Sequence, residues 1–438
     1  MRLKLFTPVL ALFCLTFAAP AATAGGPPEA LARLALSENS AESAPAIKEL
    51  RAMGPRGLQV LLDAHAAEIG RAKSGQSVNE QEWQRLTLAL DAVSRQRNSY
   101  ASGLYWYTDL EEAEAAAQAS GKPILSLRLL GQLDEEFSCA NSRFFRTVLY
   151  ANAEVSQYLR EHFVLHWKSV RPAPRVTIDF GDGRKLERTV TGNSIHYVLN
   201  AAGEPLDALP GLYGPAAFVR ALTQAETLVK QLDAKAAGAR WQALRAYHNA
   251  RIQAIARDWA TDVSKVGGRV PADVVARIER RKQTPGAIEV APLAITKRVT
   301  EVDILKSITS DATALEAATD ISSWNKIAAL HAMDVQLDDA SLALITRQNE
   351  NLRADQALLA RTRQNLEQYL ALDTVRNEYL LRTKLHAWFA TGMATGGVES
   401  LNELVYADLF KTPSSDPWLG LYSPDVYTAL DGGGVSRN

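Results

Sequence analysis

Thiol chemistry is the one reaction type that residue type and spacing suggest in this chain. Cys139 is followed three positions later by Ser142, and the apolar pattern predicts a helix from Cys139 to Tyr150. The positive end of a helix favours the thiolate, which is the reactive form of cysteine. A hydroxyl at position 142 can donate a hydrogen bond to the sulfur, but it cannot resolve a disulfide, which requires a second thiol.

A second thiol is not expected in the mature protein. The chain has two cysteines, Cys14 and Cys139, and Cys14 falls inside a predicted secretory signal over residues 1–24. A basic head, a short apolar run and an A-x-A site ending at Ala24 are typical of such a signal. We therefore predict a periplasmic or secreted protein with one cysteine, which is buried and inert, reactive, or paired with another chain.

Histidine spacing gives a weaker indication of chemistry. His162 and His166 have the i, i+4 spacing of helical metal ligands, but they lie across a predicted junction between a helix and a strand. That spacing no longer places two rings on one face at such a junction, so we expect no metal site there. The sequence also has no zinc signature and no glycine-rich phosphate loop, and we expect no cofactor.

The charge balance and the lack of long apolar stretches limit the kinds of partner that the mature chain is expected to bind. The chain carries 48 basic and 49 acidic residues, a formal net charge of −1. This balance provides no electrostatic basis for binding nucleic acid. After the signal, no stretch approaches the ~20 apolar residues needed to span a bilayer, so no transmembrane segment is expected in the mature chain. A protein partner in the cell envelope is the remaining expectation.

Three regions are predicted to position the cysteine. Residues 25–99 should form a loose lead-in to residue 45 and then helices, with a break at Gly54. Residues 100–232 alternate helix and strand around a hairpin signal at 181–183, which predicts an α/β domain. Residues 233–438 return to a helical period, including an apolar stripe that contains His248 and a long solvent-facing helix over 342–372. The predicted fold class is α+β.

The central region resembles a thioredoxin-like domain of the exported and spermatogenesis-associated type, the DUF255 group. The similarity rests on an opening Gly-Lys-Pro-Ile, a cysteine at the head of a helix, a second motif before the next helix, and a strand start: Gly121, Lys122, Pro123, Ile124, Cys139, Tyr150, Asn152, Glu154, Val155, Phe163 and Val164. Residues 194–203 match the length and pattern of the strand and turn in that family. The resemblance implies a thioredoxin-like fold over residues 100–232, flanked by helical regions.

Two departures from the family pattern bear on function. Ser142 stands where the family has its second cysteine, and Ser194 stands where it has a cis-proline beside the active cysteine. On the predicted strand, Ser194 and His196 share a face, so His196 is a further candidate to pair with Cys139. We predict a non-catalytic interaction or scaffold protein of the envelope. The alternative is a monothiol protein that forms mixed disulfides through Cys139, with Ser142 and His196 beside it.

Overall fold

The computed structural model describes residues 26–189, 192–280, 310–394, 396–419 and 435. The predicted signal over residues 1–24 therefore lies outside the described residues. Within them, the chain is a mixed α+β protein with a small four-stranded sheet between two helical regions, as the sequence predicts.

From residue 26 onward, the N-terminal region contains six helices: α1 (Pro28–Leu34), α2 (Ser40–Ala52), α3 (Pro55–Ala64), α4 (Ala66–Lys73), α5 (Glu80–Ser94) and α6 (Ser99–Ser102). The prediction of a loose lead-in to residue 45 is wrong, because α1 and the start of α2 fall within it. Pro28 opens α1 at a position that suits proline, and the Asn39 side chain accepts a hydrogen bond from the Ala41 N–H at the start of α2. These helices form a second apolar core around Leu50, Leu61 and Leu90, to which Ala151 and Leu344 also contribute.

The central region begins with α7 (Leu110–Ser120), β1 (Ile124–Leu130), α8 (Ala140–Phe144), which continues as a π-helix over Phe145–Leu149, and α9 (Ala153–His162). It ends with β2 (Val164–Arg171), β3 (Arg175–Asp179), β4 (Lys185–Thr189), β5 (Ile195–Leu199), β6 (Pro205–Pro210) and α10 (Pro215–Asp233). The predicted helix from Cys139, the hairpin around Gly181–Gly183 and the strand at Ile195–Leu199 are confirmed.

The four-stranded sheet has the order β2-β1-β5-β6. Strands β1 and β2 are parallel, β5 is antiparallel to β1, and β6 is antiparallel to β5. Strands β3 and β4 form a separate two-stranded hairpin. Every residue of β1 is buried, which fits its nearly continuous apolar sequence.

The described parts of the C-terminal region contain nine further helices: α11 (Ala237–Lys265), α12 (Ala272–Arg280), α13 (residues 310–317), α14 (Ile321–Leu330), α15 (Asp339–Gln348), α16 (Glu350–Ala354), α17 (Gln356–Arg376), α18 (Thr383–Thr391) and α19 (Gly397–Leu404). A 3-10 turn spans Ala332–Val335, and π-helices span Asn377–Arg382 and Val405–Leu409. The predicted single helix over 342–372 is wrong. Asn349 and Asp355 break it, because their side chains accept hydrogen bonds from the N–H groups of Asn351 and Leu358 and so start new helices.

One apolar core joins the central and C-terminal regions. It extends from Leu104 through the sheet to Leu419. Helix α11 packs along α18, and α10 packs against β5, β6 and α9. The C-terminal helices therefore cover surfaces that the central region would otherwise expose.

Candidate functional site

Cys139 lies immediately before α8, as the sequence predicts, but its side chain is fully buried. Its N–H donates to the carbonyl oxygen of Leu130 at 3.0 Å, which fixes it against the end of β1. Two contacts close the surroundings: Thr189 donates to the carbonyl of Ser138, and Tyr406 from the C-terminal π-helix donates to the carbonyl of Asn193. The thiol itself is buried in the apolar core that the central and C-terminal regions share.

Ser142 is also fully buried, one turn into α8. Its hydroxyl donates to the carbonyl oxygen of Cys139 at 2.9 Å. A serine hydroxyl has one hydrogen, so this bond uses the donor that a thiolate would require. Ser142 therefore serves the backbone at the start of the helix in this structure.

His196 is buried in the middle of the sheet. Its Nε2 lies 2.6 Å from the Tyr150 hydroxyl, and its ring packs against Phe145 and Phe218. Burial lowers the pKa of His196 to about 3 and raises the pKa of Tyr150 well above its usual value, so Tyr150 donates and a neutral imidazole accepts. No hydrogen bond joins His196 to Cys139 in the part of the chain that the structure describes.

His162 and His166 are held by different partners. His162 Nδ1 lies 3.0 Å from a Glu226 carboxylate oxygen, whereas His166 Nδ1 lies 2.8 Å from the Ser126 hydroxyl. Burial, together with the nearby Arg128 and Lys168, lowers the pKa of His166 to about 3. These two histidines do not form a shared site.

A polar cleft of about 370 Å³ lies between α10, α11 and the π-helix at Asn377–Arg382. This volume is within the range of small-molecule pockets. The π-helix supplies Glu378, Tyr379 and Arg382 to the lining, and π-helical turns often occur at functional sites. The cleft is thus a second candidate site, separate from the thiol region.

His331 is held between two carboxylates at this cleft. Its Nε2 lies 2.7 Å from Asp262 Oδ2, and its Nδ1 lies 3.4 Å from Asp334 Oδ2. The hydrogen bond to Asp262, then that to Asp334, raises the pKa of His331 to about 9 in spite of partial burial. Burial acts to raise the pKa of Asp334, but the hydrogen bonds from His331 and Arg220 outweigh it and lower that pKa. His331 is therefore an imidazolium at neutral pH.

Arg382 connects the cleft to a buried polar cluster behind it. One guanidinium nitrogen lies 3.0 Å from Glu378 Oε2 in the cleft, and the other lies 3.1 Å from Asp207 Oδ2. Two buried imidazoles, His248 and His386, meet behind Asp207, with 2.8 Å between their Nδ1 atoms. His386 Nδ1 lies 3.8 Å from Asp207 Oδ1. We call Asp207, His248 and His386 the buried triad.

Sequence reasoning did not find the cleft or the buried triad. The periodic pattern placed His248 on the apolar stripe of α11, where its burial is confirmed, but gave no sign of a histidine partner. Its partner His386 lies 138 residues further along the chain. Only tertiary packing brings these side chains together, and the one local signal was an intrahelical Glu378–Arg382 pair at i, i+4 spacing.

Comparisons of the chain with protein-family models, with curated proteins and with solved structures gave no match. In the described residues, no helix combines the length and apolar character needed to cross a membrane.

Proposed function

We propose that this chain is an exported thioredoxin-like protein that acts by non-catalytic interaction, as a binding or scaffold protein of the cell envelope. The proposal has three parts: a thioredoxin-like central region, a thiol that takes no part in redox chemistry, and a surface for a protein partner. The enclosed position of Cys139 is the observation that carries it.

The strand arrangement supports the first part. A parallel pair, β1 and β2, is followed along the chain by an antiparallel pair, β5 and β6, and the sheet order is β2-β1-β5-β6. This order and these directions are those of a thioredoxin-like sheet, and Cys139 heads the helix that follows β1, as the resemblance implies. The β3–β4 hairpin is then an insertion between β2 and β5.

Three features of the thiol region support the second part. The sulfur is buried, the Ser142 hydroxyl donates to a carbonyl, and His196 accepts from Tyr150. Mixed-disulfide formation requires that an external sulfur reach the thiolate. The monothiol alternative therefore requires an opening of the packed core around Cys139.

The β3–β4 hairpin supports the third part, because its apolar row is exposed. Val176, Ile178 and Phe180 alternate along β3 and its end, so they lie on one face, and each side chain is about half exposed. A two-stranded hairpin is marginal unless one face is covered. A protein partner that buries this row would stabilise the hairpin.

Alkylation of the folded protein with a maleimide tests the thiol. We expect no label on Cys139 at neutral pH and one label after denaturant is added, because the sulfur is enclosed. Ser322→Cys is a matched control, since position 322 is exposed and should label at once. Rapid labelling of native Cys139, or reduction of insulin by the protein, would exclude the non-redox proposal.

The hairpin row is tested with the double variant Val176→Ser and Ile178→Ser. We expect a loss of crosslinks to envelope proteins with less than about 1 kcal/mol of destabilisation, because the side chains are half exposed. Thr177→Ser, on the opposite face, should retain the crosslinks. Equal crosslinking in both variants would place the interaction surface elsewhere.

Export rests on the N-terminal pattern, which lies outside the described residues. We expect the mature protein to begin at Gly25 and to occur in the periplasm or the medium. Mass spectrometry of the native N-terminus tests this expectation, and retention of residues 1–24 in the cytoplasm would contradict it.

A further inference from the structure

The buried triad consists of three side chains whose donor atoms converge in the core. Asp207 lies on β6, His248 on α11 and His386 on α18, and all three are fully buried. One donor atom from each lies within 4.8 Å of the others. The cluster therefore joins the edge strand of the sheet to two helices of the C-terminal region.

The hydrogen-bond partners of His248 and His386 determine which nitrogen of each ring carries the hydrogen. His248 Nε2 lies 3.0 Å from the Leu206 carbonyl oxygen, which can only accept, so Nε2 carries the hydrogen of the neutral ring. The lone pair of His248 then lies on Nδ1 and points at His386. His386 must donate from its own Nδ1, and its Nε2 has no hydrogen-bond partner among the described residues.

Two members of the buried triad, His248 and Asp207, are oriented by further interactions outside the triad. His248 donates to the Leu206 carbonyl and stacks on Phe389 with ring centroids 4.6 Å apart. Asp207 Oδ2 accepts from Tyr247 and Arg382, whereas Oδ1 accepts from the Ala208 N–H at 2.8 Å and lies 3.8 Å from His386 Nδ1, with a second lone pair available to an ion. Hydrogen bonds of this kind from the outer atom of each ligand are typical of metal centres.

We propose that the buried triad is a binding site for one divalent transition-metal ion, with Zn²⁺ as the reference ion. Two imidazoles and a carboxylate suit zinc and its first-row neighbours, whereas Mg²⁺ and Ca²⁺ prefer oxygen ligands. The proposal is independent of the thiol proposal.

The distances between the donor atoms fit tetrahedral zinc after a small adjustment. Tetrahedral zinc with ligands at about 2.0–2.1 Å requires roughly 3.3 Å between donor atoms. The Nδ1 atoms are 2.8 Å apart and Asp207 Oδ1 is 3.8 Å from His386 Nδ1, so the rings separate slightly while the carboxylate closes. The ion replaces the shared proton, and His386 carries its hydrogen on Nε2 instead.

The positive charge of the neighbouring Arg382 is the main free-energy cost of binding a cation at this site. Arg382 pairs with both Asp207 and Glu378, and Glu378 also pairs with Arg251 at 3.1 Å, so the two carboxylates balance two guanidinium groups and a bound ion adds its charge to a neutral cluster. An unneutralised arginine would disfavour a second cation strongly in a buried site.

Titration of chelator-treated protein with Zn²⁺ tests the proposal. We expect one equivalent to bind to the wild type and raise its melting temperature. His386→Gln should weaken Zn²⁺ binding by at least about tenfold, since it removes a ligand. His162→Gln is the matched control, because this histidine pairs with Glu226 outside the triad, and it should bind Zn²⁺ as the wild type does.

Two results would overturn the proposal: no binding to the wild type in an equimolar titration, or equal affinity in the His386→Gln variant. Either would leave the triad as a hydrogen-bonded pair beside an ion pair. If circular dichroism shows that His386→Gln is unfolded, X-ray absorption of the wild type with one equivalent of Zn²⁺ decides. Two imidazoles and an oxygen at the metal support the site, whereas a sulfur ligand or fewer than two imidazoles overturns it.

Discussion

At the scale of single residues, burial controls the charge of the histidines. His166, His196 and His248 are almost fully buried, and burial is the main reason that their pKa values fall to about 3, 3 and 4. His331 is the opposite case, because two carboxylates hold its proton. The same residue type therefore responds to pH in two directions within one molecule.

Acidification should destabilise the fold through four buried histidines, namely these three and His386, whose pKa burial lowers well below its ordinary value. Unfolded histidine titrates near about pH 6.5, so below that pH the unfolded state binds protons that the folded state excludes, until the folded pKa is reached. Each histidine then costs about 1.4 kcal/mol per pH unit, and the four together cost about 5 kcal/mol per unit.

Urea unfolding at pH 7, 6 and 5 measures this effect. In the His196→Gln variant, the free energy of unfolding should fall by about 1.4 kcal/mol less between pH 6 and pH 5 than in the wild type, because one buried histidine is gone. A free energy of unfolding that stays constant over this range would contradict the burial of these side chains as neutral rings.

Alkaline conditions should weaken the contribution of His331. Its folded pKa of about 9 exceeds the ordinary 6.5, so its stabilisation is complete below pH 6.5 and is lost as the pH rises from 6.5 to 9. The upper limit is about 3 kcal/mol, reduced by solvent screening because 30% of the side chain is exposed.

Comparison of wild type with His331→Gln by urea unfolding at pH 6 and pH 9 tests this contribution. The wild type should lose more stability than the variant over this interval. Identical losses would show that the two carboxylates do not hold the proton.

At the scale of elements, the crossing of α2 and α3 depends on Gly57. A Cβ atom at this position would overlap the Leu50 carbonyl oxygen, which belongs to the backbone and has little freedom to move. Helix α3 can therefore reach α2 only without a side chain at this position. The N-terminal core around Leu50 depends on this close approach.

Gly57→Ala should separate the two helices and destabilise the N-terminal region by about 2 kcal/mol or more, as overpacking does. Gly70→Ala is the matched control. Gly70 lies within α4, where an added methyl group would meet no other atom within 4 Å, and helix propensity should make the substitution neutral or stabilising by up to about 1 kcal/mol. Thermal unfolding compares the two, and equal melting temperatures would contradict the close contact.

At the scale of the whole molecule, the central and C-terminal regions share a core and several polar contacts. Arg171 donates to the carbonyl oxygens of Thr412 and Asp416, and Tyr197 donates to Asn402. The buried pair Arg382–Asp207 crosses the same boundary. Neither region can separate without exposing apolar surface and a buried charge.

The two regions should therefore unfold together. Single-tryptophan variants that retain Trp106 in the central region or Trp259 in the C-terminal region should give the same urea midpoint, because both residues are buried in the shared core. Two separate midpoints would show that the regions are independent folding units.

The sequence was most informative where local interactions decide the structure. Asn152 caps the start of α9, as asparagine at the head of a helical pattern predicts, because its side chain accepts from the Val155 N–H. The pattern also predicts α7 over Leu110–Ser120, as observed, but with Thr108 as its capping residue; Asp109 caps the helix instead, and both residue types suit that position. Strand β6 was missed because it is bounded by Pro205 and Pro210, which argue against a strand, although an edge strand tolerates them.

The sequence by itself determined the number of thiols, the alternation of elements around Cys139 and the overall α+β class, because these follow from composition and from short-range periodicity. The tertiary structure alone decided that Cys139 is enclosed, that Ser142 bonds to a carbonyl, and that Asp207, His248 and His386 meet. Those outcomes depend on contacts between residues far apart in the chain, as between Asp207 and Arg382. No local pattern encodes such contacts, since they result from how complete elements pack against one another.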